Sequence, residues 1–478
     1  MNYKLIKYII GWLLVFESVF MLLPALVAVA YQEKAGFSFL ISMGLGLLTG
    51  GFMVLKKPEN KTMYAREGFV IVSISWIILS IYGALPFWLS GSIPKVIDAL
   101  FESVSGFTTT GATILSSVED IEKSVLFWRS FTHWIGGMGV LVFIMAILPL
   151  AGGNNIYLMR AESTGPSVNK LVPRMKTTAS ILYGMYFVMT ILEILVLLAV
   201  DMPLFDAVNT AFSTAGTGGF SIKNDSLAGY SDAIQNVVTV FMILFGVNFN
   251  VYYLILCKKF YDVVRMTELK VYMGILAAAI AAISVNIYGM YGNVVETIEQ
   301  AAFQVASLMS STGFATTDYD LWPEFAKGIL ILVMCVGACA GSTGGGIKVS
   351  RIVILFKSLF KELEISVHSR SVKKIKMDGR FVNNEVIQSV NVFMVAYIII
   401  YVFSMLIISL DNFDFTTNFT AVSAMINNTG PGLNAVGPTQ NFAKFSLLSK
   451  VVCIFDMLAG RLELFPVLIL FAPSTWKK

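Results

Sequence analysis

Four short loops in this chain carry the residue types that could ligate a dehydrated alkali cation. They read Thr109-Thr110-Gly111-Ala112-Thr113, Thr214-Ala215-Gly216-Thr217-Gly218, Ser311-Thr312-Gly313-Phe314-Ala315 and Asn428-Thr429-Gly430-Pro431-Gly432. The central glycines, Gly111, Gly216, Gly313 and Gly430, lie 105, 97 and 117 residues apart. Glycine accepts positive φ, so the carbonyls around it can aim at one axis. Rings of backbone carbonyls are how proteins replace the water shell of potassium. The candidate ligands are therefore each glycine and the two residues before it: Thr109 and Thr110, Thr214 and Ala215, Ser311 and Thr312, Asn428 and Thr429. No Asp or Glu occurs within 108–113, 213–219, 310–316 or 427–433. A divalent-selective pore would be expected to carry a ring of acids. Neutral oxygens fit a large, weakly hydrated monovalent cation better.

The flanks repeat with the glycines. Four residues back stand Phe107, Phe212, Met309 and Ile426; six back stand the small Ser105, Thr210, Ser307 and Ala424. One Ser-Thr-Gly triplet would read as a tight turn. Four in register form an internal repeat.

Two other motifs interrupt apolar runs. Gly341-Ser342-Thr343-Gly344-Gly345-Gly346 breaks a helix at about 1 kcal/mol per glycine relative to alanine. It is not a phosphate loop, because Ile347 stands where lysine should follow and no strand precedes it. On the residues alone it reads as a passive kink at a crowded crossing. Arg461 lies mid-span, where a charge is costly unless paired or hydrated. It serves either an internal ion pair, with Asp456 or Glu463 nearby, or the transport path. Glu193 and Arg129 read as snorkelling side chains near helix ends, and His133 as a packed structural histidine.

These residues need a membrane scaffold. Of 478 residues, 56% are hydrophobic and 13% charged, against about a quarter charged in ordinary soluble domains. Mean hydropathy is +0.75. Runs of spanning length cover 8–30, 37–55, 68–90, 125–150, 179–200, 235–257, 271–292, 328–356, 389–410 and 447–472. The first begins at Ile9 and reads as a retained helix rather than a cleaved leader. Before each loop sits a segment too short to span: 98–107, 205–212, 301–309 and 415–426. Irregular backbone at membrane depth is tolerated where protein buries it or water lines it, and a re-entrant half-helix with an extended loop meets that condition. Its C-terminal dipole end favours a cation.

The expected fold is an all-α polytopic membrane protein with four helix–pore-loop–helix repeats. An N-terminal hairpin (1–62) precedes repeats at 63–160, 161–265, 266–380 and 381–478. Basic links (Lys56, Lys57, Lys61, Arg66; Arg160, Lys170, Arg174, Lys176; Lys258, Lys259, Arg265; Lys357, Lys373, Lys374, Lys376, Arg380; Lys477, Lys478) alternate with acidic ones (Asp98, Glu102, Glu119, Asp120, Glu122; Asp201, Asp206, Asp225, Asp232; Glu296, Glu299, Asp318, Asp320, Glu324). The positive-inside rule then puts both termini in the cytoplasm. Cys257, Cys335, Cys339 and Cys453 read as small core residues rather than metal ligands, with His133 and His368 far off in sequence. No catalytic triad, HExxH or paired-carboxylate motif occurs in a credible context, so no enzyme is expected. Neither a prosthetic group nor a nucleic-acid partner is expected.

The segments SGFTTTGAT, AFSTAGTGGFS, SSTGFATTD and NNTGPGLNAVGP, with GACAGSTGGGIKVSR and DMLAGRLE, resemble the Trk/Ktr/HKT superfamily of potassium transporters. The N-terminal hairpin favours its bacterial TrkH/TrkG branch, and the resemblance covers essentially the whole chain. It implies that the four repeats stand in pseudo-fourfold arrangement around one pathway, with potassium as the transported ion, in the bacterial inner membrane, and the loops as selectivity filter. It also implies a homodimer within membrane lipid and a cytoplasmic nucleotide-binding regulatory subunit of the TrkA type. The 341–346 loop, with Gly341, Gly344, Gly345, Gly346 and the following Lys348, becomes an obstruction under the filter. Arg461 becomes a cation barrier in the pore. No loop spells TVGYG, and the unequal loops make rubidium and sodium further candidates for passage. The competing expectation is a proton- or sodium-coupled carrier. Its usual signature, inverted repeats around a midplane carboxylate, does not fit four repeats in one orientation.

Overall fold

The computed structural model describes residues 1–60, 63–139, 175–368 and 374–476. The 140–150 end of the fourth expected span, the boundary at 160, Lys61, Arg160, Lys170, Arg174, Lys373, Lys477 and Lys478 lie outside the described residues, as does the side chain of Lys176.

Three helices open the chain: α1 (Tyr3–Phe20), α2 (Leu22–Tyr31) and α3 (Gly36–Val54). Then one pattern recurs four times. A helix of 25 residues leads each time: α4 (Ala65–Leu89), α7 (Met175–Ala199), α12 (Thr267–Tyr291) and α16 (Asn384–Ile408). A half-length helix follows: α5 (Val96–Phe107), α8 (Leu204–Gly216), α13 (Val294–Met309) and α17 (Phe415–Ile426). After an irregular loop comes a second helix: α6 (Lys123–Gly137), α9 (Asp232–Gly246), α14 (Glu324–Val336) and α18 (Leu447–Arg461).

Among the described residues, six helices are long and apolar enough to cross a membrane, or seven if one bent pair counts as a single span. Ten spans were expected, one of them broken at 341–346. Of the four not counted here, 125–150 runs outside the described residues, and the other three are interrupted. α9 turns by 89° into α10 (Phe249–Leu256), whose first turn is capped by the Asn248 side chain accepting from the Asn250 N–H at 2.9 Å, and the short α11 (Phe260–Arg265) follows. α14 stops at Gly337 (φ 72°), and the chain becomes helical again only at α15 (Val349–Val367). α18 stops at Arg461, where Glu463 and Leu464 take positive φ before α19 (Phe465–Phe471). The expectation of one broken span becomes at least three.

Each half-helix packs on the second helix of the repeat before it: α8 on α6, α13 on α9, α17 on α14. The first half-helix, α5, packs on α18 from the end of the chain. The contacts therefore close a ring. Phe187, Val188 and Leu195 of α7, Val285 of α12, and Val395, Ile398 and Phe403 of α16 are exposed, so the leading helices turn apolar side chains outward. A two-stranded antiparallel hairpin, β1 (Lys376–Met377) with β2 (Arg380–Phe381), pairs Lys376 with Phe381 and lies in the basic link between α15 and α16.

Candidate functional site

All four half-helices end in the same way. Thr109, Thr217, Ser311 and Asn428 take left-handed backbone, with φ of 56°, 54°, 61° and 52°. The next residue donates its N–H five residues back: Thr110 to Ser105 at 2.9 Å, Gly218 to Ser213 at 2.8 Å, Thr312 to Ser307 at 2.8 Å and Thr429 to Ala424 at 2.9 Å. This is a Schellman cap, which turns the chain sharply off the helix axis. One residue further, Gly111, Gly219, Gly313 and Gly430 take φ of 79°, 75°, 81° and 91°.

This pattern changes the register of the second loop. Thr214, Ala215 and Gly216 are the last turn of α8, and the positions held elsewhere by Thr109-Thr110-Gly111 fall to Thr217-Gly218-Gly219. The small residue six back becomes Ser213, whose hydroxyl donates to Phe220 O at 2.8 Å, as that of Ser307 does to Phe314 O at 2.6 Å. Three glycines stand close together in this loop, so matching Thr-Ala-Gly to Thr-Thr-Gly by residue type picks the wrong one. The usable signal was the Thr-Gly-Gly triplet, which alone supplies a left-handed residue and a second positive φ two positions later.

The four glycines touch one another's loops in chain order. A β-carbon on Gly111 would fall 1.8 Å from the Gly218 carbonyl oxygen. One on Gly219 would fall 1.9 Å from Thr312 O, one on Gly313 2.1 Å from Thr429 O, and one on Gly430 2.6 Å from Thr110 O. First meets second, second meets third, third meets fourth, fourth meets first. Any side chain there would collide with backbone. The Asn428 side-chain amide crosses the closing seam to the Thr110 hydroxyl at 3.0 Å. Beyond the glycines, the exiting strands form a matching collar. Val118 N donates to Asn224 Oδ1 (2.8 Å), Leu227 N to Ala315 O (3.0 Å), Asn434 N to Asp320 Oδ2 (2.6 Å) and Phe442 N to Thr113 O (2.9 Å).

Helix α6 props the first two loops from behind. Arg129 is 3% exposed and donates to Glu102 Oε1 at 2.5 Å and to Ser221 O at 2.9 Å, with the Phe220 ring 3.6 Å away. The same Glu102 carboxylate accepts from the Thr113 hydroxyl and from Ile114 N at 3.1 Å. His133, one turn on, accepts from Phe220 N at 3.2 Å through Nε2 and so donates from Nδ1 to Gly106 O at 2.8 Å. Arg129 and Glu193 therefore do not snorkel; both are buried. The i, i+4 spacing of Arg129 and His133 in an apolar run was the available sign that they share a buried face.

The glycine-rich loop sits against the third and fourth loops. Gly345 N donates to the Ser311 hydroxyl, and Gly346 N to Asn427 O at 3.1 Å. A β-carbon on Gly344 would fall 2.6 Å from Ser310 O, and one on Gly345 2.2 Å from Asn427 O. Phe249 N donates to the Gly341 carbonyl at 3.0 Å. Lys348 is buried and its Nζ donates to Gly344 O. Arg461 reaches across: it donates to Thr343 O at 2.8 Å and to Gly136 O, on the helix behind the first loop. The Glu463 carboxylate is engaged by Arg351, and Asp456 accepts from Ser404 at 2.7 Å. The glycine-rich loop and Arg461 thus share one locus with the third and fourth loops, and Arg461 links it to α6. Among the described residues there is no cluster of metal-ligating His, Cys, Asp or Glu. Cys339 and Cys453 are buried, Cys335 is half-buried and Cys257 is exposed.

The chain resembles known proteins along its length. A family model described as a cation transport protein, TrkH, matches residues 36–478. The Trk system potassium uptake protein TrkH of Salmonella typhimurium is 37% identical over 486 aligned residues, covering 100% of both chains. The Trk system potassium uptake protein TrkG of Escherichia coli is 33% identical, covering 99% of each. The crystal structure of the potassium transporter TrkH from Vibrio parahaemolyticus superposes with a TM-score of 0.90 at 34% identity, covering 100% of both chains. The closed ring of loops therefore stands on a scaffold common to membrane transporters rather than enzymes, and the chain belongs to the TrkH family of cation transport proteins.

Proposed function

We propose that this protein takes up potassium across the bacterial inner membrane through the ring formed by Thr109–Gly111, Thr217–Gly219, Ser311–Gly313 and Asn428–Gly430. The observation that carries this is the ring closure, in which each positive-φ glycine abuts the backbone of the next loop. Four half-helices present their C-terminal ends to the same ring, and that end of a helix favours a cation. The loops hold no carboxylate, so the ligands are neutral carbonyl and hydroxyl oxygens. The Thr109 hydroxyl is buried with no hydrogen-bond partner among the described residues, which suits an added oxygen layer. The loops are chemically unequal, so rubidium and, more weakly, sodium accompany potassium.

On this reading, the 341–346 loop and Arg461 form the closed gate. Gly344, Gly345 and Gly346 lie against Ser310, Ser311 and Asn427, directly beside the ring. Arg461 places a fixed positive charge at the same locus, which opposes cation passage. Gly341 marks the near end of the loop and Lys348 the far end. The repeats divide at 63–160, 161–265, 266–380 and 381–478, after the hairpin at 1–62. Basic links face the cytoplasm with both termini, where a TrkA-type nucleotide-binding subunit would act. The exposed apolar faces of α7, α12 and α16 accommodate membrane lipid and a second copy of the chain.

A second reading, a proton- or sodium-coupled carrier, draws on one observation: Glu17, Glu193 and Asp456 are buried within apolar helices. Single-channel recording separates the two, because discrete openings are incompatible with alternating access. The test of the main reading is uptake in a cell lacking its own potassium transport. Rescue with potassium and rubidium preferred over sodium supports it, and failure to rescue, or equal uptake of sodium, contradicts it.

A further inference from the structure

Glu268 stands in the first turn of α12, outside the four loops and outside the glycine-rich segment, and is 5% exposed. Its Oε1 accepts from Ala340 N at 2.7 Å and from Ser350 N at 3.2 Å. Ala340 immediately precedes Gly341, and Ser350 lies in the first turn of α15, just beyond Lys348. One carboxylate oxygen on a neighbouring helix therefore ties down both ends of the 341–346 loop.

The position of Glu268 is itself set from the basic link. Its neighbour Thr267 donates its N–H to Asp378 Oδ1 at 2.7 Å, and the Thr267 hydroxyl accepts from Asp378 N at 3.4 Å. Asp378 forms the turn of the β1–β2 hairpin, with φ of 52°. The hairpin is seated on the elements flanking the loop. Ile375 and Met377 are buried with Ile354 of α15 and Val390 of α16, and Lys357 donates to Lys376 O at 2.7 Å. A continuous set of contacts runs from an exposed hairpin, through Asp378 and Thr267, to the residue that holds both loop ends.

We infer that Glu268 is the latch of the 341–346 loop and that the hairpin at 376–381 is the lever that releases it. This rests on the reading of that loop as a gate. Hydrogen bonds to a carboxylate are about twice as strong as neutral ones, so the latch holds the seated loop more firmly than the loop's own backbone contacts do. A force that lifts the hairpin draws Asp378 from Thr267, shifts the start of α12, and loosens both loop ends together. Glu268 is a positioning residue, since it touches the loop ends and not the ring.

The experiment is rubidium flux from liposomes reconstituted with the full chain and no regulatory protein. Glu268→Ala, Glu268→Gln, Asp378→Ala and Arg461→Ala are each compared with the parent. Loss of one charge-assisted bond shifts a two-state equilibrium on the order of tenfold. Glu268→Ala removes two such bonds and raises flux by at least about that factor. Glu268→Gln keeps an acceptor oxygen without the charge and falls between Ala and the parent. Asp378→Ala moves flux the same way from the far end of the lever. The rubidium-to-sodium ratio stays at the parental value in all three, which a merely loosened fold would not preserve. Should Glu268→Ala fail to fold, Glu268→Gln and Asp378→Ala carry the test. Parental flux in both Glu268 variants, with raised flux in Arg461→Ala, overturns the latch and leaves the gate standing. Parental flux in all four overturns the gate and the latch with it. Raised flux with a lowered rubidium-to-sodium ratio places the effect in the ring and also overturns the latch.

Discussion

Gly219 and Gly216 stand three positions apart and do different work. A β-carbon on Gly219 would meet the Thr312 carbonyl oxygen across a loop boundary, whereas one on Gly216 would fall 2.3 Å from His133 O, inside the packing of α6 on α8. Gly219→Ala is expected to lower the potassium-to-sodium uptake ratio severalfold, and Gly111→Ala and Gly313→Ala are expected to do the same. Gly216→Ala is expected to lower the yield of folded protein at an unchanged ratio. Uptake ratios measured beside detergent-solubilised yield check both. If Gly219→Ala transports with the parental ratio, the second loop does not contribute to selection. Arg461 makes its own prediction. Its guanidinium is held by the carbonyls of Thr343 and Gly136, so Arg461→Ala removes both a charge and a strut between the glycine-rich loop and α6. Cation flux without a regulator should rise, and unchanged flux would mean that Arg461 serves packing alone. In three loops the positive-φ glycine was legible in the sequence, because a single Thr-Gly pair marks it in each. The register of the second was not, because residue type says which glycines can take positive φ and not which of three neighbours does.

At the scale of elements, the half-helices and their props decide how firmly the loops stand. α6 reaches both the first and second loops through Arg129 and His133, and Arg129→Met would leave the Glu102 carboxylate buried with its charge uncompensated. Removing one partner of such a pair costs about 3–5 kcal/mol, so a marked fall in unfolding temperature is expected in thermal melts of the purified protein. A snorkelling arginine would give a change within about 0.5 kcal/mol. α17 depends on its cap. Asp414 accepts from Thr417 N at 2.9 Å and from the Asn434 amide at 2.8 Å. Burial pushes the Asp414 carboxyl up, but these hydrogen bonds and that of the Thr417 hydroxyl outweigh it and hold it below the usual carboxylate range. The folded-state value is depressed. The cap therefore stabilises fully above the ordinary aspartate value of about 4, and its contribution fades as pH falls through the lower folded value. Asp414→Ala should cost about 1 kcal/mol at neutral pH and show a weaker acid dependence than the parent. An identical acid profile would remove Asp414 from that role. Helix lengths were legible from hydropathy, but the breaks at Asn248 and at Glu463–Leu464 were not. Asn248 lies in an apolar run, between Val247 and Phe249, and positive φ at Glu463 and Leu464 contradicts their ordinary preference.

For the whole molecule, the organising fact is a closed circuit. α5 packs on α18 across most of the chain length, and Asn428 bonds Thr110 over 318 positions. That the chain holds four equivalent units was readable from four loops in register; their closure into a ring was not, and only the family resemblance implied it. What local sequence could not supply is the long-range detail: which loop the glycine-rich segment leans on, and that Glu268 ties its ends. Those contacts join residues 34 to 82 positions apart, beyond any window of periodicity. The same closure predicts that transport is a property of the intact ring. The most direct measurement is anomalous diffraction, or difference density, from the protein prepared in rubidium. The account predicts an ordered ion enclosed by Thr109–Gly111, Thr217–Gly219, Ser311–Gly313 and Asn428–Gly430. Rubidium ordered elsewhere in the helices, with the ring empty, would contradict it.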